Sequence, residues 1–166
     1  MEVPVNRFKR ALCEGRPQIG LWSVLANASV TELLGTSGYD WLLIDMEHAP
    51  NELPAVQAQL QALRGTVTTP IVRPPWNDMV WVKRVLDLGA QTLLIPMIET
   101  AEQATALVKA SRYPPAGIRG IASMTRAFRS SLLQYRSPVH FLLPSGRNSR
   151  SSVSGESMVS YRFSML

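Results

Sequence analysis

The residues best suited to chemistry stand where apolar runs stop. The run Trp41–Met46 leads into Glu47-His48-Ala49-Pro50-Asn51, with Asp45 just before the turn. A second apolar run ends in Arg73-Pro74-Pro75, and a third ends in Pro96-Met97-Ile98-Glu99. His48 is one of two histidines in the chain. An imidazole with an ordinary pKa of about 6.5 suits a general base. A carboxylate beside it would raise its basicity and hold one tautomer. Asp45 and Glu47 are close in sequence, and Asp87 lies farther on. Strand parity puts Asp45 and His48 on opposite faces if the strand stays regular to its end, and the turn at Ala49-Pro50 interferes with that rule. Arg73 leaves an apolar strand directly into two prolines. A guanidinium there can bind a carboxylate bidentately. It can equally serve as the ion-pair partner of a neighbouring carboxylate, and His48 can equally be structural. The residues alone leave both readings open.

Other features carry less chemistry. Gly117-Ile118-Arg119-Gly120 lacks the lysine and the strand context of a phosphate loop and reads as a plain turn. Trp22, Trp41, Trp76 and Trp81 form no regular stacking series; Trp41 is expected in the core and Trp76 on the rim. His140 stands in the anomalous last quarter of the chain and carries little functional weight. Cys13 is the single cysteine, which excludes an intrachain disulfide and a zinc-binding cysteine cluster. It reads as a partly buried thiol in a reduced, cytoplasmic protein. The first ten residues lack the apolar core of a signal peptide. No apolar stretch reaches the roughly 18 residues that a membrane helix needs, so no membrane partner is expected.

The elements that must position these residues repeat one pattern. Strands are predicted at Ile19–Leu25, Trp41–Met46, Pro70–Arg73 and Gln91–Ile98. Helices are predicted at Ser29–Leu34, Leu53–Leu63, Val80–Leu88 and Ala101–Ser111. Each helix has an apolar stripe or a glycine or proline stop. The strands are continuous apolar runs, the mark of strands covered on both faces in a parallel α/β sheet. Their starts near residues 19, 41, 69 and 91 make each βα unit 22 to 28 residues long. Four such units suit a doubly wound sheet or part of a (β/α)8 barrel. A whole barrel takes roughly 250 residues. Catalytic side chains in both folds sit at the C-terminal strand ends, where His48, Arg73 and the carboxylates fall.

After Arg126 the pattern stops. Leu132-Leu133 and Phe141-Leu142-Leu143 are short apolar islands, and residues 145–160 are rich in Ser, Arg and Gly. Residues 129–166 hold 11 serines, 5 basic and 1 acidic side chain, whereas residues 1–128 hold 12 basic and 11 acidic. Most of the net charge of +5 therefore belongs to the last quarter. The expected division is residues 1–127 as a barrel portion and residues 128–166 as an irregular or disordered tail. A basic tail raises the alternative of a non-catalytic nucleic-acid binder. Its five arginines come with few aromatics and no nucleic-acid motif, so nucleic acid is not the expected partner. Another acid-binding α/β enzyme using His48 and Arg73 is a further alternative.

Four segments together resemble one family. They are Asp-Trp-Leu-Leu-Ile-Asp-Met-Glu-His-Ala-Pro-Asn at 40–51, Val-Arg-Pro-Pro-Trp-Asn-Asp at 72–78, Leu-Asp-Leu-Gly-Ala-Gln-Thr-Leu-Leu-Ile-Pro-Met at 86–97 and Arg-Tyr-Pro-Pro-Ala-Gly-Ile-Arg-Gly at 112–120. Their order is similar to that of the class II, metal-dependent pyruvate aldolases of the HpcH/HpaI type, over about residues 5–127. The resemblance implies an incomplete (β/α)8 TIM barrel of about four βα units followed by the tail. It implies reversible cleavage of a 4-hydroxy-2-oxo acid, such as 4-hydroxy-2-oxoheptanedioate or a 2-keto-3-deoxy sugar acid, to pyruvate and an aldehyde. It implies a divalent metal (magnesium, manganese or cobalt) that stabilises the enolate as a Lewis acid, and a homo-oligomer. His48 would be the general base, Arg73 would bind substrate and stabilise the enolate, and Asp87 would raise the basicity of His48, with Asp45 a further partner.

The family's metal-ligand motifs, a Gln-Val-Glu-Thr strand and a Gly-Pro-Ala-Asp loop, do not occur in the chain. Codons permitted for residues 145–150 read Gln-Val-Glu-Thr-Arg-Ala when moved forward by one base. This motivates a frameshift between about Arg126 and Ser145. The chain as written is therefore expected to be inactive.

Overall fold

The structure is a computed structural model that describes residues 5–121 throughout, together with the backbone of four strands between residues 140 and 165. Helix α1 (Arg7–Cys13) comes first, then β1 (Gly20–Ser23), α2 (Ala28–Gly35), β2 (Trp41–Asp45) and α3 (Leu53–Ala62). They are followed by β3 (Thr69–Arg73), α4 (Met79–Asp87), β4 (Thr92–Leu94) and α5 (Ala101–Ser111). Beyond these lie β5 (His140–Pro144), β6 (Ser149–Arg150), β7 (Val159–Ser160) and β8 (Phe163–Met165). Each predicted strand and helix is present: β1, β2, β4 and α3 are trimmed, α2 and β3 are extended, α4 is shifted by one residue and α5 is as predicted. Helix α1 and the four late strands are additions. The island Phe141-Leu142-Leu143 lies inside β5. The island Leu132-Leu133, the irregular character expected for the rest of the tail and the frameshift between residues 126 and 145 lie outside the described residues.

The main sheet runs in the order β1-β2-β3-β4-β5-β8. The first five strands pair parallel, each with its neighbour in sequence, and β8 closes on β5 antiparallel. A doubly wound sheet reverses its strand order at a switch point, whereas a barrel does not. The unbroken order is the barrel pattern. Right-handed crossovers then place successive helices on the same side of the sheet.

Side-chain caps fix the starts of α2, α4 and α5. Asn27 accepts from the backbone N–H groups of Ser29 and Val30, and Asp78 accepts from those of Val80 and Trp81. Thr100 and Gln103 form a reciprocal capping box. Helix α4 is followed by Gly89 at φ 102°, a left-handed conformation open to glycine without steric cost.

Two apolar layers result. Ile44, Val72 and Leu93 pack outward against Val56, Leu60, Val82, Val85, Leu86 and Leu107 of the helices. Leu43, Ile71 and Leu94 point to the opposite face and pack with Phe8 of α1. Trp41 joins this inner layer, edge-on to both Phe8 and Trp22 at 6.4 and 6.0 Å between ring centroids. Side chains alternate along a strand, so Asp45 and Arg73 belong to the inner face with Leu43 and Ile71. Cys13, expected to be partly buried, is exposed, because the last turn of α1 presents it to solvent. Trp76 is exposed at the β3 end of the rim. Among the described residues no helix is long and apolar enough to cross a membrane.

Candidate active site

The register of β2 on β3 sets Asp45 opposite Arg73 at the last rung of the ladder. Both side chains rise from the C-terminal ends of their strands. Arg73 Nε donates to Asp45 Oδ1 at 2.8 Å and Nη2 donates to Oδ2 at 2.6 Å, a bidentate pair. Arg73 Nη1 lies 2.8 Å from Glu47 Oε2. The guanidinium also sits 5.5 Å from the centre of the Trp22 ring, within cation–π range. The Asp45 side chain is 2% exposed and that of Arg73 17%.

The strand does not stay regular past Asp45. Asp45 Oδ1 accepts from the backbone N–H of Glu47 at 3.0 Å and of His48 at 3.4 Å. This side-chain-to-backbone turn overrides strand parity. It brings His48 to the same rim as Asp45, although not in side-chain contact with it. His48 Nε2 lies 3.7 Å from Glu47 Oε1, and the imidazole is 71% exposed. Burial pushes the Asp45 carboxyl up. The hydrogen bond and charge of Arg73, with the two backbone N–H groups, outweigh that and hold it below the usual carboxylate range.

Asp87 is elsewhere. It ends α4, where its Oδ1 accepts from Arg119 Nη2 at 2.6 Å. Asp87 and His48 do not meet within one chain. Arg119, read from sequence as part of a plain turn, is 4% exposed. It stacks on Tyr113 with its guanidinium 4.7 Å from the ring centre. Glu99 is exposed beside the start of α5, where its backbone N–H donates to Gln103. The site as built therefore contains Asp45, Glu47, His48 and Arg73.

Beneath it lies a polar cluster that the sequence did not disclose. Gln59 Oε1 accepts from Ser23 Oγ and from Thr31 Oγ1, both at 2.9 Å. Gln59 Nε2 donates to Asn51 Oδ1 at 2.6 Å. Asn51 Nδ2 donates to the carbonyl of Asp45 at 2.7 Å and to that of Ser23 at 3.3 Å. The available signal was a glutamine on the helix stripe between Val56 and Leu60, which demands a buried partner.

A barrel-type parallel sheet with an arginine, carboxylates and a histidine on its C-terminal rim is the arrangement of the α/β barrel class. The chain belongs to the HpcH/HpaI aldolase/citrate lyase family, whose model matches residues 18–150. It is 59% identical over 130 residues to the hydroxypyruvate/pyruvate aldolase of Paraburkholderia phytofirmans, covering 78% of this chain and 49% of that one. It is 58% identical over 125 residues to the 4-hydroxy-2-oxo-heptane-1,7-dioate aldolase of Klebsiella pneumoniae, covering 75% and 47%. A solved HpcH/HpaI aldolase/citrate lyase family protein from Burkholderia cenocepacia superposes with a TM-score of 0.77 at 40% identity, covering 84% of this chain and 59% of that one. The chain thus spans about half the length of the curated relatives it matches.

A divalent metal, expected from the resemblance, does not fit the described residues. No group of three or more His, Cys, Asp or Glu side chains among them could hold one. Asp45 and Glu47, the nearest carboxylates, are both engaged by Arg73.

Proposed function

We propose that this chain carries the pyruvate-binding and proton-transfer part of a pyruvate aldolase site. The reaction is cleavage of a 4-hydroxy-2-oxo acid to pyruvate and an aldehyde. The observation that carries the reading is the guanidinium of Arg73, held bidentately by buried Asp45 while its Nη1 edge meets the carboxylate of Glu47. That edge already takes a carboxylate ligand, and pyruvate presents one. Arg73 would bind the 2-oxo acid and offset the negative charge that develops on the enolate oxygen. His48, exposed on the turn, would take the proton from the hydroxyl of the substrate as the carbon–carbon bond breaks. It would return that proton to the enolate carbon of pyruvate. Asp45 orients Arg73 rather than reacting. A role for Asp87 at His48 requires a contact between two subunits of a homo-oligomer. We place this chemistry in the cytoplasm, on the single cysteine.

The divalent metal belongs to the reading of the whole family member, and no step here is routed through it. The domain division at residue 127 and the frameshift stand as proposals. Sequencing the coding DNA around codons 120–150 tests the latter, and codons that do not encode the family motif in a shifted frame would sink it. The function is tested by exchange of the pyruvate methyl protons in deuterated buffer. The expected result for the 166-residue chain is no cleavage of a 4-hydroxy-2-oxo acid, with only slow exchange of the pyruvate methyl protons that depends on His48 and is not strongly accelerated by manganese. Exchange indifferent to His48→Ala contradicts the assignment of the base. Robust manganese-dependent exchange contradicts the loss of the metal ligands.

A further inference from the structure

The buried polar cluster sits in the helix layer, yet it ends on the backbone of a rim residue. All four hydrogen-bonding sites of the Gln59 amide face polar partners, with the single Thr31 hydroxyl proton shared between Gln59 Oε1 and the Asn27 carbonyl, each 2.9 Å away. The amide accepts from Ser23 and Thr31 and donates to Asn51 and to the carbonyl of Ala55. Gln59 is 0% exposed and Asn51 3%. Asn51 then joins the ends of β1 and β2 by donating to the carbonyls of Ser23 and Asp45. A glutamine placed for packing alone would be a leucine, because a buried amide costs energy unless fully paired. What this amide does that leucine cannot is hold Asn51 against the last residue of β2.

We propose that Gln59 and Asn51 are positioning residues: through one buried hydrogen-bond chain they fix the Asp45 backbone, and with it the Arg73 guanidinium and the His48 turn. The assignment rests on the reading of Arg73 and His48 as the reacting end of the site. The Asp45 carbonyl is held from the helix side by Asn51, and its carboxylate holds Arg73 and the His48 N–H on the other. Asp45 is thus the link between the two layers. Releasing its carbonyl frees the carboxylate to rotate away from Nε of Arg73.

The test is solvent exchange of the Arg73 Nε–H, followed by NMR on the full chain. Gln59→Met keeps the volume and removes every hydrogen bond of the amide. Val56→Ala, on the same helix, removes apolar contact only, and the two are compared at matched loss of melting temperature. The expected result is exchange about tenfold faster in Gln59→Met than in Val56→Ala. Equal exchange in the two variants overturns the proposal. Should Gln59→Met not fold, Ser23→Ala removes one donor from Gln59. Exchange about threefold faster than in the unaltered chain then supports the proposal, and unchanged exchange overturns it. Failure of the site reading shows differently: pyruvate added to the unaltered chain would leave the Arg73 and His48 signals in place.

Discussion

At the scale of single residues, Asp45 does more than any other side chain. It is the bidentate partner of Arg73 and the acceptor for two backbone N–H groups of the turn that carries His48. Removing one partner of a largely buried ion pair leaves the other charge uncompensated. Arg73→Ala is expected to destabilise the chain by about 3 kcal/mol, measured by urea unfolding. Arg73→Lys, which keeps the charge and loses the fork, should fall between the two. The pH dependence follows from the depressed carboxyl of Asp45. The unfolded chain binds that proton near the ordinary aspartate value of about 3.9, and the folded chain only at lower pH. The contribution is therefore complete above that value and is lost as pH falls through the folded one. Asp45→Asn should flatten the fall in stability below about pH 4. An unaltered slope in urea titrations at several pH values would contradict the role given to the carboxyl.

Among the elements, those with local signals were legible in the sequence. The helix stripes and the glycine and proline stops gave α2 to α5, and the apolar runs gave β1 to β4. Asp78→Ala should cost about 1 kcal/mol through loss of the cap on α4, read from the melting curve. Gly20 shows a constraint no pattern discloses. A Cβ there would run into the ring of Trp41 on the paired strand. Gly20→Ala should therefore lower the melting temperature by displacing Trp41, and an unchanged melt would contradict the close approach. What stayed hidden depends on partners far apart in sequence. Helix α1 was not read because Arg7-Phe8-Lys9-Arg10-Ala11 shows little periodicity, and its place is set by Phe8 packing under Leu43 and Ile71. Arg119 looked like a turn residue until Asp87, 32 residues away, met it. Strand parity separates His48 from Asp45 only while the strand stays regular, and a single carboxylate capping two N–H groups ends that regularity at Asp45.

For the whole molecule, five parallel strands in sequence order settle the choice between a doubly wound sheet and a barrel pattern. Among the described residues β1 pairs only with β2, so its outer edge is open. Such edges favour association with another chain. The chain is expected to self-associate in size-exclusion chromatography, and a monodisperse, cooperatively melting monomer would contradict this view of the edge. The charge excess of the last quarter bears on the tail and not on the nearly neutral portion that holds the site. The central claim is that Arg73, steadied by Asp45, is a receptor for the carboxylate of a 2-oxo acid. The most direct measurement is an NMR titration of the full chain with pyruvate, and in parallel with a sugar phosphate. The account predicts a saturable shift of the Arg73 Nε–H and of the His48 ring signals with pyruvate alone, and loss of the His48 response in Arg73→Lys. A response to the sugar phosphate alone, or no response at Arg73, would contradict it.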